Sequence, residues 1–95
     1  MIESRTMNQR YLEVTFRKGR FIAAYLYLPR RPDDRSVRTE RREQGLIVDY
    51  APDGRPIGIE ITSPKSVTLA KLNEVLTAIH QAPATREEVA PVLAA

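Results

Sequence analysis

Four ionisable side chains and two glycines carry the chemistry that spacing can define in this 95-residue chain. Asp49, Asp53, Gly54, Gly58 and Glu60 lie within twelve residues, and His80 is the lone histidine. Two carboxylates on one face can hold a hard cation or divide acid and base roles. Asp49 and Glu60 share a face if the segments flanking Asp53-Gly54 pair as a hairpin, but they fall off-register, and no further oxygen ligand is close in sequence. Asp53 before Gly54 is turn chemistry: the carboxylate bonds the local backbone and the glycine accepts a positive φ. His80 stands near a helix end, where a cation complements the dipole; a metal site or a nucleophile–base pair needs partners that the sequence does not set beside it. With no cysteine, thiolate catalysis, disulfides and Cys-type zinc sites are excluded. Gly54 and Gly58 match no phosphate-binding loop; Gly58 reads instead as room for an aromatic from a neighbouring strand. The expectation is a protein that is not an enzyme and has no catalytic residue, cofactor or metal.

The element that positions these acids is a hairpin. Leu46 to Tyr50 and Ile57 to Ile61 are β-branched, alternating runs on either side of Ala51-Pro52-Asp53-Gly54-Arg55-Pro56. An Asp-Gly tip between such runs is a strong hairpin signal. Parity selects the register: Tyr50 opposite Ile57, Val48 opposite Ile59 and Leu46 opposite Ile61 gather the apolar side chains on one face. Asp49, Gly58 and Glu60 then share the other with Ile47. A one-residue slip would exchange the faces.

The run Val48-Asp-Tyr-(x)2-Asp-Gly-(x)3-Gly-Ile-Glu-Ile61 resembles the signature of DUF2283, a family of small bacterial proteins of unknown function. The family pattern reads I-x-D-x-D-x-D-G-x-x-x-G-I-E-I after a first pair of strands. Phe16 to Leu28 resembles that first pair, so the likeness covers roughly residues 11 to 65. The chain departs from the pattern twice. Arg17-Lys18-Gly19-Arg20 stands where the family has an acidic pair, and Ala51 replaces the first loop acid. The resemblance implies no activity to carry over; it marks Asp49, Asp53, Gly54, Gly58 and Glu60 as the family-like motif.

Residues 1–10 are polar and aperiodic, and are expected to form a flexible arm. Residues 11–95 then make one domain, with strands over about 11–62 and helices over about 67–93. Tyr11 to Arg17 alternates, with Leu12, Val14 and Phe16 inward. Lys18-Gly19 turns the chain. Arg20 to Leu28 is apolar on both faces, with Ile22, Ala24, Leu26 and Leu28 on one and Phe21, Ala23, Tyr25 and Tyr27 on the other, so it is expected to be covered on both sides. Ser36 to Glu43 alternates weakly and is almost all polar; it reads as an edge strand guarded by its charges or as a solvated loop. Leu69, Leu72, Val75, Leu76 and Ile79 form the stripe of an amphipathic helix, capped by Ser66 or Thr68. Thr85 and Glu88 make a capping-box pattern that opens a short helix broken by Pro91. The fold class is α+β: an antiparallel β-meander of four to five strands with a C-terminal amphipathic helix packed on one face.

Net charge is +3. It is uneven: residues 1–48 hold 11 Lys/Arg against 6 Asp/Glu, and residues 49–95 hold 4 against 6. The arginines of residues 30–42 are interleaved with Asp33, Asp34, Glu40 and Glu43, which weakens any role in tracking phosphates. A helix can cover only one face of the two-faced strand, leaving Tyr11, Phe21, Tyr25 and Tyr27 as an interface. The expected function is a cytoplasmic, non-enzymatic interaction or regulatory accessory module. It would act as a homo-oligomer, a dimer favoured, or dock an unidentified protein partner. The alternative is a weak nucleic-acid binder that stacks bases on this arginine-rich, tyrosine-bearing sheet face. No apolar run is long enough for a membrane span.

Overall fold

Alternation of apolar and polar side chains organises the first sixty residues into strands. The computed structural model describes residues 9–43 and 45–93, without the side chain of Phe21. The strands are β1 (Tyr11–Arg17), β2 (Arg20–Tyr27), β3 (Arg38–Glu43), β4 (Leu46–Tyr50) and β5 (Pro56–Ile61). All neighbours are antiparallel, in the order β1-β2-β5-β4-β3. The α+β architecture is as expected. The path departs from a sequential meander once: after β2 the chain crosses to the far edge, and β5 returns to lie beside β2. The apolar two-faced strands therefore sit inside the sheet, and the charged β3 is an edge, where its side chains deter further pairing.

The central hairpin has the register that parity dictates, Val48 opposite Ile59 and Leu46 opposite Ile61. Tyr50 differs. An irregularity after Asp49 sets it opposite Pro56 rather than Ile57, because Pro56 has no N–H to give the ladder and the tip closes through Ala51 N–H to Arg55 O at 2.8 Å.

One sheet face carries the core. Ala24, Leu26, Leu28, Leu46, Val48, Ile59 and Ile61 are buried there against Leu72, Val75, Leu76 and Ile79. The last four belong to helix α1 (Leu69–Ala78) and its C-cap, as the apolar stripe requires. Thr68 is the N-cap, its side chain accepting from Lys71 N–H; Ser66 lies instead in a single 3-10 turn, Pro64–Ser66. α1 stops in a Schellman-type end, with Gln81 N–H on Leu76 O at 2.8 Å and His80 at φ 64°. Thr85 Oγ1 accepts from Glu88 N–H at 3.1 Å as the capping pattern implies. Pro91, however, does not break the short helix α2 (Ala90–Leu93). It occupies the first turn, where no N–H is needed.

Two inward expectations fail at the β1–β2 tip. Phe16 is 59% exposed and Ile22 42%. A bulge between Thr15 and Phe16 shifts the side chains there. The tip also overhangs the sheet, since β5 pairs with β2 only from Ala24 onward. Lys18 (φ 52°) and Gly19 (φ 76°) form the tight turn with the positive angles a two-residue hairpin needs.

Most of the expected N-terminal arm, residues 1–8, lies outside the described residues. Arg10 is held: its guanidinium pairs with the Glu88 carboxylate at 3.0 Å and donates to the Ala82 and Pro83 carbonyls.

Candidate functional site

Within the described residues no helix or strand packs on the sheet face turned away from α1, the face that the sequence pattern leaves for a second copy to cover. Register places its side chains in two rows across all five strands. One row reads Tyr11, Tyr27, Gly58, Asp49, Thr39; the next reads Glu13, Tyr25, Glu60, Ile47, Arg41. Tyr25, Tyr27, Ile47 and Asp49 are half-buried, while Glu13, Glu60 and Arg41 are exposed and Tyr11 is 48% exposed.

The tyrosines form one packed group. Tyr11 and Tyr27 stack with centroids 4.5 Å apart and planes at 14°, and Tyr25 meets Tyr27 edge-on at 4.7 Å. These are favoured aromatic geometries. The Arg30 guanidinium lies 5.0 Å from the centre of the Tyr27 ring. Of the expected interface residues, Tyr11, Tyr25 and Tyr27 are thus brought together. Phe21 contributes only its strand pairing, opposite Phe16, because its side chain is outside the described set.

Gly58 explains how the group packs. The Tyr25 ring lies across β5, and a Cβ built on Gly58 would overlap its ring and hydroxyl. This is the close approach of an aromatic that a glycine inside a strand anticipates. Through that gap the Tyr25 hydroxyl reaches β4 and donates to Asp49 Oδ2 at 2.7 Å. Burial, then the hydrogen bond to Asp49, pushes the Tyr25 hydroxyl well above the usual phenol range. Burial and the bond to Glu13 Oε1, at 3.1 Å, raise Tyr27 in the same direction. Both hydroxyls therefore act as proton-bearing donors.

The acids of the motif part company. Asp49 stands opposite Gly58 and Glu60 opposite Ile47, so the two carboxylates share the open face off-register. Asp49 is committed to Tyr25, and Glu60 remains exposed at the centre of its row. Among the described residues, no three of His, Asp and Glu converge as a metal-ligand group. Asp53 sits at the hairpin tip before Gly54 (φ 92°), accepting from Arg55 N–H and Nε. His80 stands at the end of α1, outside the sheet face.

Arg55 ties the tip to the loop after β2. Its Nη1 and Nη2 both donate to the Asp34 carboxylate, at 3.2 and 2.6 Å, a fork-to-carboxylate geometry. Asp34 is nearly buried, its side chain 6% exposed. The Arg55 hydrogen bonds hold the Asp34 and Asp53 carboxyls below the ordinary aspartate range, and the two acids raise Arg55 in turn.

The hairpin with its Gly-Ile-Glu-Ile strand, and the β2 strand that lays Tyr25 over Gly58, are the parts of the chain that a family comparison recognises. Residues 23–63 match DUF2283, a family of proteins of unknown function. The resemblance seen in the hairpin residues therefore holds, over a span that begins inside β2 and ends just after β5. The matched segment contains Tyr25, Asp49, Gly58 and Glu60, whereas Tyr11 and Glu13 lie before it. Neither the curated proteins nor the solved structures yielded a match. Among the described residues, no helix is long and apolar enough to cross a membrane.

Three interactions of the site escaped sequence reasoning. The Tyr25–Asp49 bond and the Arg55–Asp34 pair join positions 24 and 21 apart, beyond any local pattern. Arg30 looked like one more solvated arginine, yet its Nη2 donates to Ile57 O at 2.7 Å and its guanidinium covers Tyr27. Its position three residues after β2, past Leu28 and Pro29, was the available signal.

Proposed function

We propose that the protein is a non-enzymatic accessory module that works in the cytoplasm as a homodimer, each copy covering the other's open sheet face. The observation that carries this reading is the charge layout of the Glu13-Tyr25-Glu60-Ile47-Arg41 row: an acid at one edge, a cation at the other, and Tyr25 and Ile47 on either side of the central Glu60. A twofold axis along the strand direction above β5 reverses the strand order of the facing sheet. It sets Glu13 of one copy over Arg41 of the other, and Tyr25 over Ile47. Such self-complementarity is what an isologous interface requires. An axis across the strands would lay each strand on its own counterpart and set like charges together.

Half-buried tyrosines are the side chains most suited to such a surface, since each offers a rigid apolar ring with a polar tip. Facing sheets with interdigitated side chains make a layer about 10 Å thick, which the Tyr11–Tyr27 stack and Ile47 can fill. The nucleic-acid alternative is weaker on this face. Glu13, Asp49 and Glu60 all project from it, and their charges oppose phosphates.

Sedimentation equilibrium of the purified chain tests the proposal. The expected mass is that of two chains in the micromolar range. A mass of one chain up to about 100 μM, where an association worth roughly −5.5 kcal/mol would be half formed, overturns it.

A further inference from the structure

A cavity of about 250 Å³ opens at the end of the sheet where β2, the tip of the central hairpin and the end of α1 meet. Pro29, Arg30, Arg31, Arg55, Pro56 and Gln81 line it. Three of the six are arginines, delivered from two loops, and Gln81 adds an amide from a third segment.

The charges do not cancel. Arg55 is satisfied by Asp34 and Asp53, and Arg31 lies 4.0 Å from Asp53. Arg30 has no carboxylate partner among the described residues. Three guanidinium groups thus share two carboxylates. The capacity for hydrogen bonding is also unspent. A guanidinium has five N–H donors; Arg55 directs three at the two acids, and Arg30 places Nη2 on Ile57 O. Arg30 Nε is buried and has no acceptor in hydrogen-bond geometry, although the guanidinium stands close enough to the Tyr25 hydroxyl to act on it. A buried charged donor left without a partner is costly, and calls for a ligand, ion or water to meet it. Arg30 is nevertheless held, by the Ile57 carbonyl and the Tyr27 ring, so its ordering is complete before anything binds.

We propose that this cavity is a binding site for a phosphate group, as the free ion or as the phosphomonoester of a small metabolite. Arg30 and Arg31 on the loop after β2, Arg55 on the hairpin tip and Gln81 after α1 bring donor groups to the wall of the cavity from three segments. A tetrahedral oxyanion offers acceptors in all these directions, whereas a planar carboxylate offers two. Forked guanidinium groups suit phosphate oxygens in particular. The site adjoins the open sheet face through Arg30, whose guanidinium lies against Tyr27, while Arg31, Arg55 and Gln81 line it from the end of the sheet.

Isothermal titration calorimetry on the full chain tests it, with inorganic phosphate and glycerol phosphate as probes in chloride buffer of matched ionic strength. The expected result is saturable binding of at least one probe at one site per chain, weakened tenfold or more in Arg31→Gln and in Arg30→Gln. Arg31 is largely exposed, its side chain 63% accessible, so the first variant keeps its fold. Tighter binding of the ester assigns the site to a phosphomonoester, and tighter binding of phosphate to the free ion. No saturable heat with either probe overturns the proposal, as does affinity unchanged in Arg31→Gln.

Discussion

At the scale of single residues, Gly58 is the hinge of the site. It has no side chain because the Tyr25 ring occupies the space where one would begin. The substitution Gly58→Ala must push that ring off β5 and break its bond to Asp49. Overpacking of this kind costs about 1–3 kcal/mol, to be read as a lower denaturant midpoint at unchanged slope. The cause can be isolated. In a Tyr25→Ala background the same glycine substitution should cost far less, because the overlapping ring is gone, and a double-mutant cycle measures the difference. An equal cost in both backgrounds would mean that the strand backbone, not the tyrosine, demands glycine. Gly58 was legible in the sequence as a place of close approach; its visitor was not, since Tyr25 lies 33 positions earlier and diagonal to it across the sheet.

At the scale of elements, legibility followed locality. The register of β4 against β5 could be read because side-chain parity leaves one solution that buries Leu46, Val48, Ile59 and Ile61 together. The stripe and cap of α1 are equally local. What stayed hidden depends on where elements end in space. Phe16 and Ile22 have the inward parity, yet β5 stops short of them. Asn73 lies outside the apolar stripe of α1, but its amide exchanges two hydrogen bonds with the Ala84 backbone, at 2.7 and 3.3 Å, and so folds the following segment back on α1. The Asp34–Arg55 clamp is another such link, joining the loop after β2 to the hairpin tip. It makes a pH prediction. Arg55 lowers the Asp34 carboxyl in the folded chain relative to the unfolded one. Protons therefore bind the unfolded state first as acid is added, so the stabilisation is complete above the ordinary aspartate value of about 3.9. It is lost as pH falls through the lowered folded value. Thermal unfolding followed from neutral pH into acid should show this loss in the native chain. Asp34→Asn should start less stable and lose less; parallel curves for the two would remove Asp34 from the account.

At the scale of the whole molecule, a sheet that the described residues pack on one face and leave open on the other has half-buried aromatic surface at its centre. Small domains bury a limited share of their surface alone, and pairing of two such faces adds the missing layer. The proposed twofold arrangement has a cost that can be measured. The axis passes above β5, so Glu60 of one copy faces Glu60 of the other, and like charges across an interface repel. Glu60→Gln is therefore expected to tighten the dimer several-fold, although it removes no contact within one chain's core. At the ends of the same row the effect has the opposite sign. Glu13→Arg or Arg41→Glu alone sets like charges together and should weaken the dimer by tenfold or more, about 1.4 kcal/mol. The two reversals combined restore opposite charges and should recover most of the affinity. Recovery in the double variant shows that Glu13 of one copy meets Arg41 of the other, as the axis along the strands requires and the axis across them does not. If Glu60→Gln leaves the dissociation constant unchanged and the double reversal is as weak as either single one, the copies associate through some other surface, and the open face is left for a different partner.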